Sequence, residues 1–202
     1  MRNLRAIGIW GALALAMGVP IAVAAFSPLL EWRGPVYIAA GFAGILGMAL
    51  ILAQPLLAGG YLPGLRMGQA RHLHRYVGAA LVVAVVVHVV GLWVYSPPDV
   101  IDALTFTSPT PFSPFGVIAM WAVFGAALLA ALRQRIAPRL WRLGHTGCVV
   151  LVALGTVLHA QLIQGTMGIY SKAALSLMIL AALAKTLSDL RVWRLLRRRR
   201  RV

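Results

Sequence analysis

The sequence holds five histidines, His72, His74, His88, His145 and His159, and one cysteine, Cys148. One interval occurs twice: His74 to His88 and His145 to His159 are each 14 residues. On an α-helix that spacing falls about 40° short of four turns, so each pair shares one face, roughly 21 Å apart along the axis. Imidazoles placed this way suit metal ligation, because one ring nitrogen can bind the metal while the other bonds a backbone carbonyl.

The elements that carry these histidines are apolar. Of 202 residues, 61% are hydrophobic and 11% charged, which excludes an ordinary soluble domain and a disordered chain. Six apolar runs stand out, at about 6–28, 36–58, 75–96, 115–133, 143–164 and 171–190. Each is near the roughly 20 residues of one bilayer crossing. Backbone groups in lipid must pair within their own segment, so each run is predicted to be helical. The predicted fold class is an all-α integral membrane protein, a six-transmembrane-helix bundle forming a single domain over 1–202.

Net charge is +15, from 19 basic residues against Glu31, Asp99, Asp102 and Asp189. The basic residues fall between apolar runs, so they read as topology determinants and imply no nucleic acid partner. Arg2 and Arg5 precede run one; Arg66, Arg71 and Arg75 separate runs two and three. Arg133, Arg135, Arg139 and Arg142 separate runs four and five, and a basic tail occupies 191–202. The other three loops hold only Arg33 and Lys172 with three of the four acids. The positive-inside rule then places both termini in the cytoplasm. Residues 1–26 can also be read as a cleavable secretory signal, which leaves the later orientation unchanged. The loop Ser96–Pro114, with five prolines, is the longest external segment. The run Arg197–Arg201 is suited to anionic lipid, and the bias of 17 arginines to 2 lysines hints at a GC-rich bacterial genome.

In this topology runs three and five both travel outward, so the four histidines form two matched pairs. His74 and His145 sit at the inner edge of the bilayer, and His88 and His159 share a depth towards the outer side. Two facing imidazoles at each level suit a b-type haem, whose low-spin iron takes one axial nitrogen from each side. Structural zinc would want four ligands close together, and a histidine pair with no nearby acid or cysteine does not supply them. A proton relay or interhelical hydrogen bonding is the non-haem alternative. Gly78, four residues after His74, and Gly155, four before His159, either admit a flat macrocycle or allow close helix packing. Arg75 and Arg142 adjoin the inner histidines, as haem propionate partners or as topology determinants. Trp93, Tyr95, Trp141 and Tyr170 read as interfacial anchors, and His72 as a solvated loop residue. No repeat is evident beyond the shared histidine spacing.

The segment Leu73-His74-Arg75-Tyr76-Val77-Gly78, with His88 following, resembles the third helix of the ferric reductase-like transmembrane family. That family includes ferric reductases, NADPH oxidases and the haem subunit of the bacterial methionine sulfoxide reductase system. Trp141-Arg142-Leu143-Gly144-His145, followed by His159, is similar to the family's fifth helix. The resemblance runs from about run two to run six. It implies two bis-histidine b haems, the inner held by His74 and His145 and the outer by His88 and His159. Many members space the second pair by 13 residues, whereas here the interval is 14. Ferric reductases and NADPH oxidases continue into flavin- and nicotinamide-binding domains. This sequence ends about a dozen residues after run six without a Gly-rich phosphate motif. The expected donor is therefore a separate cytoplasmic reductase, a bound flavin or a quinol.

The function expected is that of a transmembrane b-type cytochrome of the bacterial inner membrane, the haem-bearing component of an oxidoreductase. It would deliver electrons to an external acceptor. The alternatives are a quinone-linked anchor subunit of a redox complex and a non-redox transporter or assembly protein.

Overall fold

The computed structural model describes residues 2–190, so the basic tail 191–202 lies outside the described residues. The helices are α1 (Arg2–Ala25), α2 (Pro35–Gly59), α3 (Met67–Tyr95), α4 (Pro97–Leu104), α5 (Ser113–Ala131), α6 (Pro138–Leu162) and α7 (Ile169–Asp189). A 3-10 turn at Pro28–Leu30 follows α1, and there is no strand among the described residues. All but α4 are long and apolar enough to cross a membrane. The six expected runs are thus six helices, and α4 subdivides the segment expected as an external loop.

The largest boundary shift is at α3, which begins at Met67 and not near 75. Polar residues such as Arg71, His72 and His74 weaken the apolar signal there, yet the backbone stays helical. Its first turn is secured by Gln69, whose Oε1 accepts from the Arg66 N–H at 2.9 Å. His72, expected in a loop, therefore lies on α3, where it is exposed. Likewise α6 begins at Pro138, whose missing N–H costs nothing at a first helical position. Gly60 ends α2 in the left-handed region, φ 69°, a conformation in which a Cβ would be strained.

Packing divides the bundle into two antiparallel hairpins, α2 with α3 and α5 with α6. Helix α7 packs on both α2 and α6, with Leu175 and Ile179 fully buried, and α1 lies against α2 and α7. The central cluster takes Ile45, Met48 and Leu52 from α2, Leu81 from α3, Val123 from α5 and Val157 from α6. At one end of the bundle Trp10 Nε1 donates to the Pro63 carbonyl at 3.1 Å, and the Tyr61 hydroxyl donates to Asp189 at 2.6 Å. These bonds join α1, the α2–α3 loop and α7. The two hairpins are what position the histidines.

Candidate functional site, paired histidines on two hairpins

Three histidines of α3 and α6, His74, His88 and His159, turn Nδ1 toward a backbone carbonyl of the other helix of their own hairpin. His88 Nδ1 lies 2.7 Å from the Ala40 carbonyl of α2, and His159 Nδ1 lies 2.9 Å from the Phe112 carbonyl at the start of α5. His74 Nδ1 lies 3.2 Å from the Gln54 carbonyl, and the Gln54 amide returns a bond to the His74 carbonyl at 3.4 Å. A carbonyl only accepts, so Nδ1 carries the proton in all three rings. Their Nε2 atoms are left with the lone pair and no protein hydrogen bond among the described residues. That is the state required of an axial ligand.

The Ala40 and Phe112 carbonyls already serve the helical ladder, and glycines leave them open to the rings, whereas Ala58 stands four residues after Gln54. A helical carbonyl bonds the N–H four residues on; its second lone pair is accessible only if that residue's side chain does not cover it. Four residues after Ala40 is Gly44, where a Cβ would stand 2.9 Å from His88 Nδ1. Four after Phe112 is Gly116, where a Cβ would stand 2.7 Å from His159 Nδ1. The arrangement is the same in both hairpins. Gln54 lies 14 residues after Ala40, as Ala126 lies 14 after Phe112. The two hairpins therefore share one spacing of carbonyls as well as of histidines. The carbonyl spacing is one that a comparison of side-chain types passes over.

His145 is the exception to this pattern. Its Nδ1 is buried without a hydrogen bond, although the Ala126 carbonyl acts on the ring from the equivalent position. Trp141 stacks on the His145 ring, 5.4 Å between centroids and 13° between planes, and its Nε1 donates to the Leu129 carbonyl at 2.9 Å. Arg133 in turn lies over the Trp141 ring at 5.5 Å. Trp141, expected as an interfacial anchor, is thus also a wall of the site.

Between the hairpins, His74 and His145 lie within electrostatic reach of each other, and so do His88 and His159. The structure therefore brings the four histidines together as two pairs, one towards each end of the bundle. Among the described residues no three His, Cys, Asp or Glu side chains gather as a metal site. A two-imidazole arrangement suits a planar macrocycle that supplies four nitrogens itself, so the residues present fit a b haem at each level. Arg75 and Arg142 are exposed beside the His74–His145 level. Gly78 and Gly155 face protein: a Cβ at Gly78 would meet the Gln54 amide at 3.3 Å, and one at Gly155 the Phe115 carbonyl at 2.9 Å. Both serve helix packing in this structure. The glycines that abut the histidines, Gly44 and Gly116, were not singled out by sequence, where 20 glycines carry no mark of which is which.

A family model described as "Ferric reductase like transmembrane component" matches residues 40–156, more than half of the chain. The chain belongs to the ferric reductase-like transmembrane family. The matched stretch begins at Ala40, whose carbonyl holds His88, and includes His74, His88 and His145. His159 lies three residues beyond it, on the same helix α6. No curated protein and no solved structure matches the chain.

Proposed function

We propose that this ferric reductase-like chain is the haem-bearing electron-transfer component of a bacterial inner-membrane oxidoreductase. One observation carries the reading: three imidazoles on the spanning helices commit Nδ1 to backbone carbonyls and keep Nε2 free of protein hydrogen bonds among the described residues. A b haem at each level would supply one-electron chemistry between ferric and ferrous states. His74 and His145 are the proposed ligands at the first level, and His88 and His159 at the second. The carbonyls of Gln54, Ala40 and Phe112 fix the tautomer of their rings and raise their basicity as ligands. Trp141 holds the plane of His145 by stacking.

Both termini are proposed to face the cytoplasm, from the distribution of arginines. The His74–His145 level then meets a cytoplasmic donor, a separate flavin or NAD(P)H reductase or a quinol. The His88–His159 level meets an acceptor outside. An electron leaving a negative interior gains about 2.3 kcal/mol per 100 mV of membrane potential, which favours this direction.

The test is a dithionite-reduced minus oxidised absorbance spectrum of purified protein, with haem quantified per chain. Two low-spin b haems per chain are expected. One haem would mean a vacant pair and a broken path, and none, with haem available during expression, would overturn the reading. Haem reduction by added quinol that a quinol-site inhibitor abolishes would identify the donor as a quinol.

A further inference from the structure

The chain has two lysines, and they sit in opposite circumstances. Lys185 has a side chain 62% exposed and pairs with Asp189 at 2.9 Å. Lys172, on α7, keeps 7% of its accessible surface and forms no ion pair among the described residues. Its Nζ donates to the Ile163 carbonyl at 2.8 Å. Removing one partner from a buried charge is ordinarily costly, so an ammonium without a carboxylate needs other compensation. Ile163 is the C-cap of α6, where the negative end of the helix dipole favours a cation. One turn along α7, buried Ser176 accepts a bond from Gln161 at 2.7 Å, which fixes the same α6–α7 seam.

This seam joins directly to a candidate ligand. The Ile163 N–H donates to the His159 carbonyl at 3.1 Å, so Ile163 stands one turn beyond His159. From helix geometry, Lys172 Nζ lies on the order of 10 Å from the His159 backbone. At the other level the nearest sequence cations, Arg75 and Arg142, are exposed and hence screened.

We infer that Lys172 is a fixed positive charge that makes the His88–His159 level the easier of the two to reduce. The inference rests on the haem reading above. With a haem held at each level, one electron would pass from the reduced centre at His74 and His145 to the oxidised centre at His88 and His159, with no bond or proton exchanged. The arriving electron lowers the charge of its centre by one. A nearby buried cation stabilises that product, and more strongly in a low-dielectric interior than at a wet surface. Lys172 thus acts as a positioning charge that biases electron flow toward its own end of the bundle.

The test is a potentiometric titration of the full-length, haem-loaded protein, followed by haem absorbance. Lys172→Gln and Lys172→Met should each bind two haems and lower one midpoint by at least a ten-fold change in its equilibrium, 59 mV for a one-electron couple. Lys172→Arg, which keeps the charge, should leave both midpoints in place. The His88→Ala protein, retaining only the His74–His145 level, identifies the wave that should not move. Unmoved midpoints in two-haem Lys172→Gln, an equal drop in Lys172→Arg, or a drop in the wrong wave would each overturn the inference. If the neutral variants lose a haem, its retention in Lys172→Arg alone supports a charge requirement, and its loss in all three rejects one. A wild-type protein without haem would instead sink the reading beneath it.

Discussion

The His88 ring reaches the Ala40 carbonyl at 2.7 Å across a helix pair that Gly44 leaves open. His159 does the same to Phe112 past Gly116, so one device serves both hairpins. At these two positions the ring passes close to where a Cβ on the glycine would stand, four residues after the accepting carbonyl.

Gly44→Ala should therefore displace the His88 ring, since the new Cβ would stand 2.9 Å from Nδ1. The expected result is loss or weakening of the haem at the His88–His159 level, with the other retained; overpacking costs about 1–3 kcal/mol. Gly116→Ala should give the same phenotype through His159. Gly47→Ala is the control, because its Cβ would meet Leu81 at an ordinary 3.7 Å. Haem per chain, measured on all three purified variants, decides the matter; equal haem content throughout would reject this role for Gly44 and Gly116.

Removing the ligands themselves should separate the levels. His88→Ala is expected to leave one haem per chain and abolish transmembrane transfer, and His74→Ala to remove the other haem. Low-temperature reduced spectra of the two variants should sum to that of the wild type. If His88→Ala kept both haem signals, the assignment of His88 would fail.

Much of this site is legible in the sequence, for a physical reason. Histidine in an apolar run is chemically conspicuous, and a 14-residue interval converts directly to one helix face. What the string conceals is the other half of each bond. Ala40, Gln54, Phe112 and Ala126 contribute backbone carbonyls, and a carbonyl is the same on every residue. Lys172 was visible only as a cation in a loop, because its burial depends on where α7 meets α6. Hydropathy places the start of α3 too late for a similar reason: it measures the lipid-facing length, while the helix itself continues into polar residues.

Packing between α5 and α6 should tolerate little at Gly155. A Cβ there would stand 2.9 Å from the Phe115 carbonyl and 3.0 Å from the Ala119 side chain. A backbone oxygen cannot rotate away, so the helices must separate. Gly155→Ala should lower stability by about 1–3 kcal/mol. Gly147→Ala, with nothing within 4 Å, should be neutral or stabilising by up to about 1 kcal/mol through helix propensity. Thermal unfolding in the same detergent compares the two, and a Gly155→Ala midpoint at or above that of Gly147→Ala would contradict the close-packing role.

The bond between Tyr61 and Asp189 should be lost in alkali. Burial pushes the Tyr61 phenol above its ordinary value, and the bond to the Asp189 carboxylate pushes it further. A group whose folded value is raised contributes its stabilisation fully below the unfolded value, about 10 for tyrosine, and loses it as pH rises through the folded value. The link between the α2–α3 loop and α7 is therefore intact at neutral pH and weakens only in strongly alkaline solution. Ultraviolet titration of tyrosinate, with Tyr61→Phe subtracted, isolates this phenol from the other four. In Asp189→Asn its titration should move down part of the way, since the burial effect persists. An unchanged titration in that variant would mean that the carboxylate does not act on Tyr61.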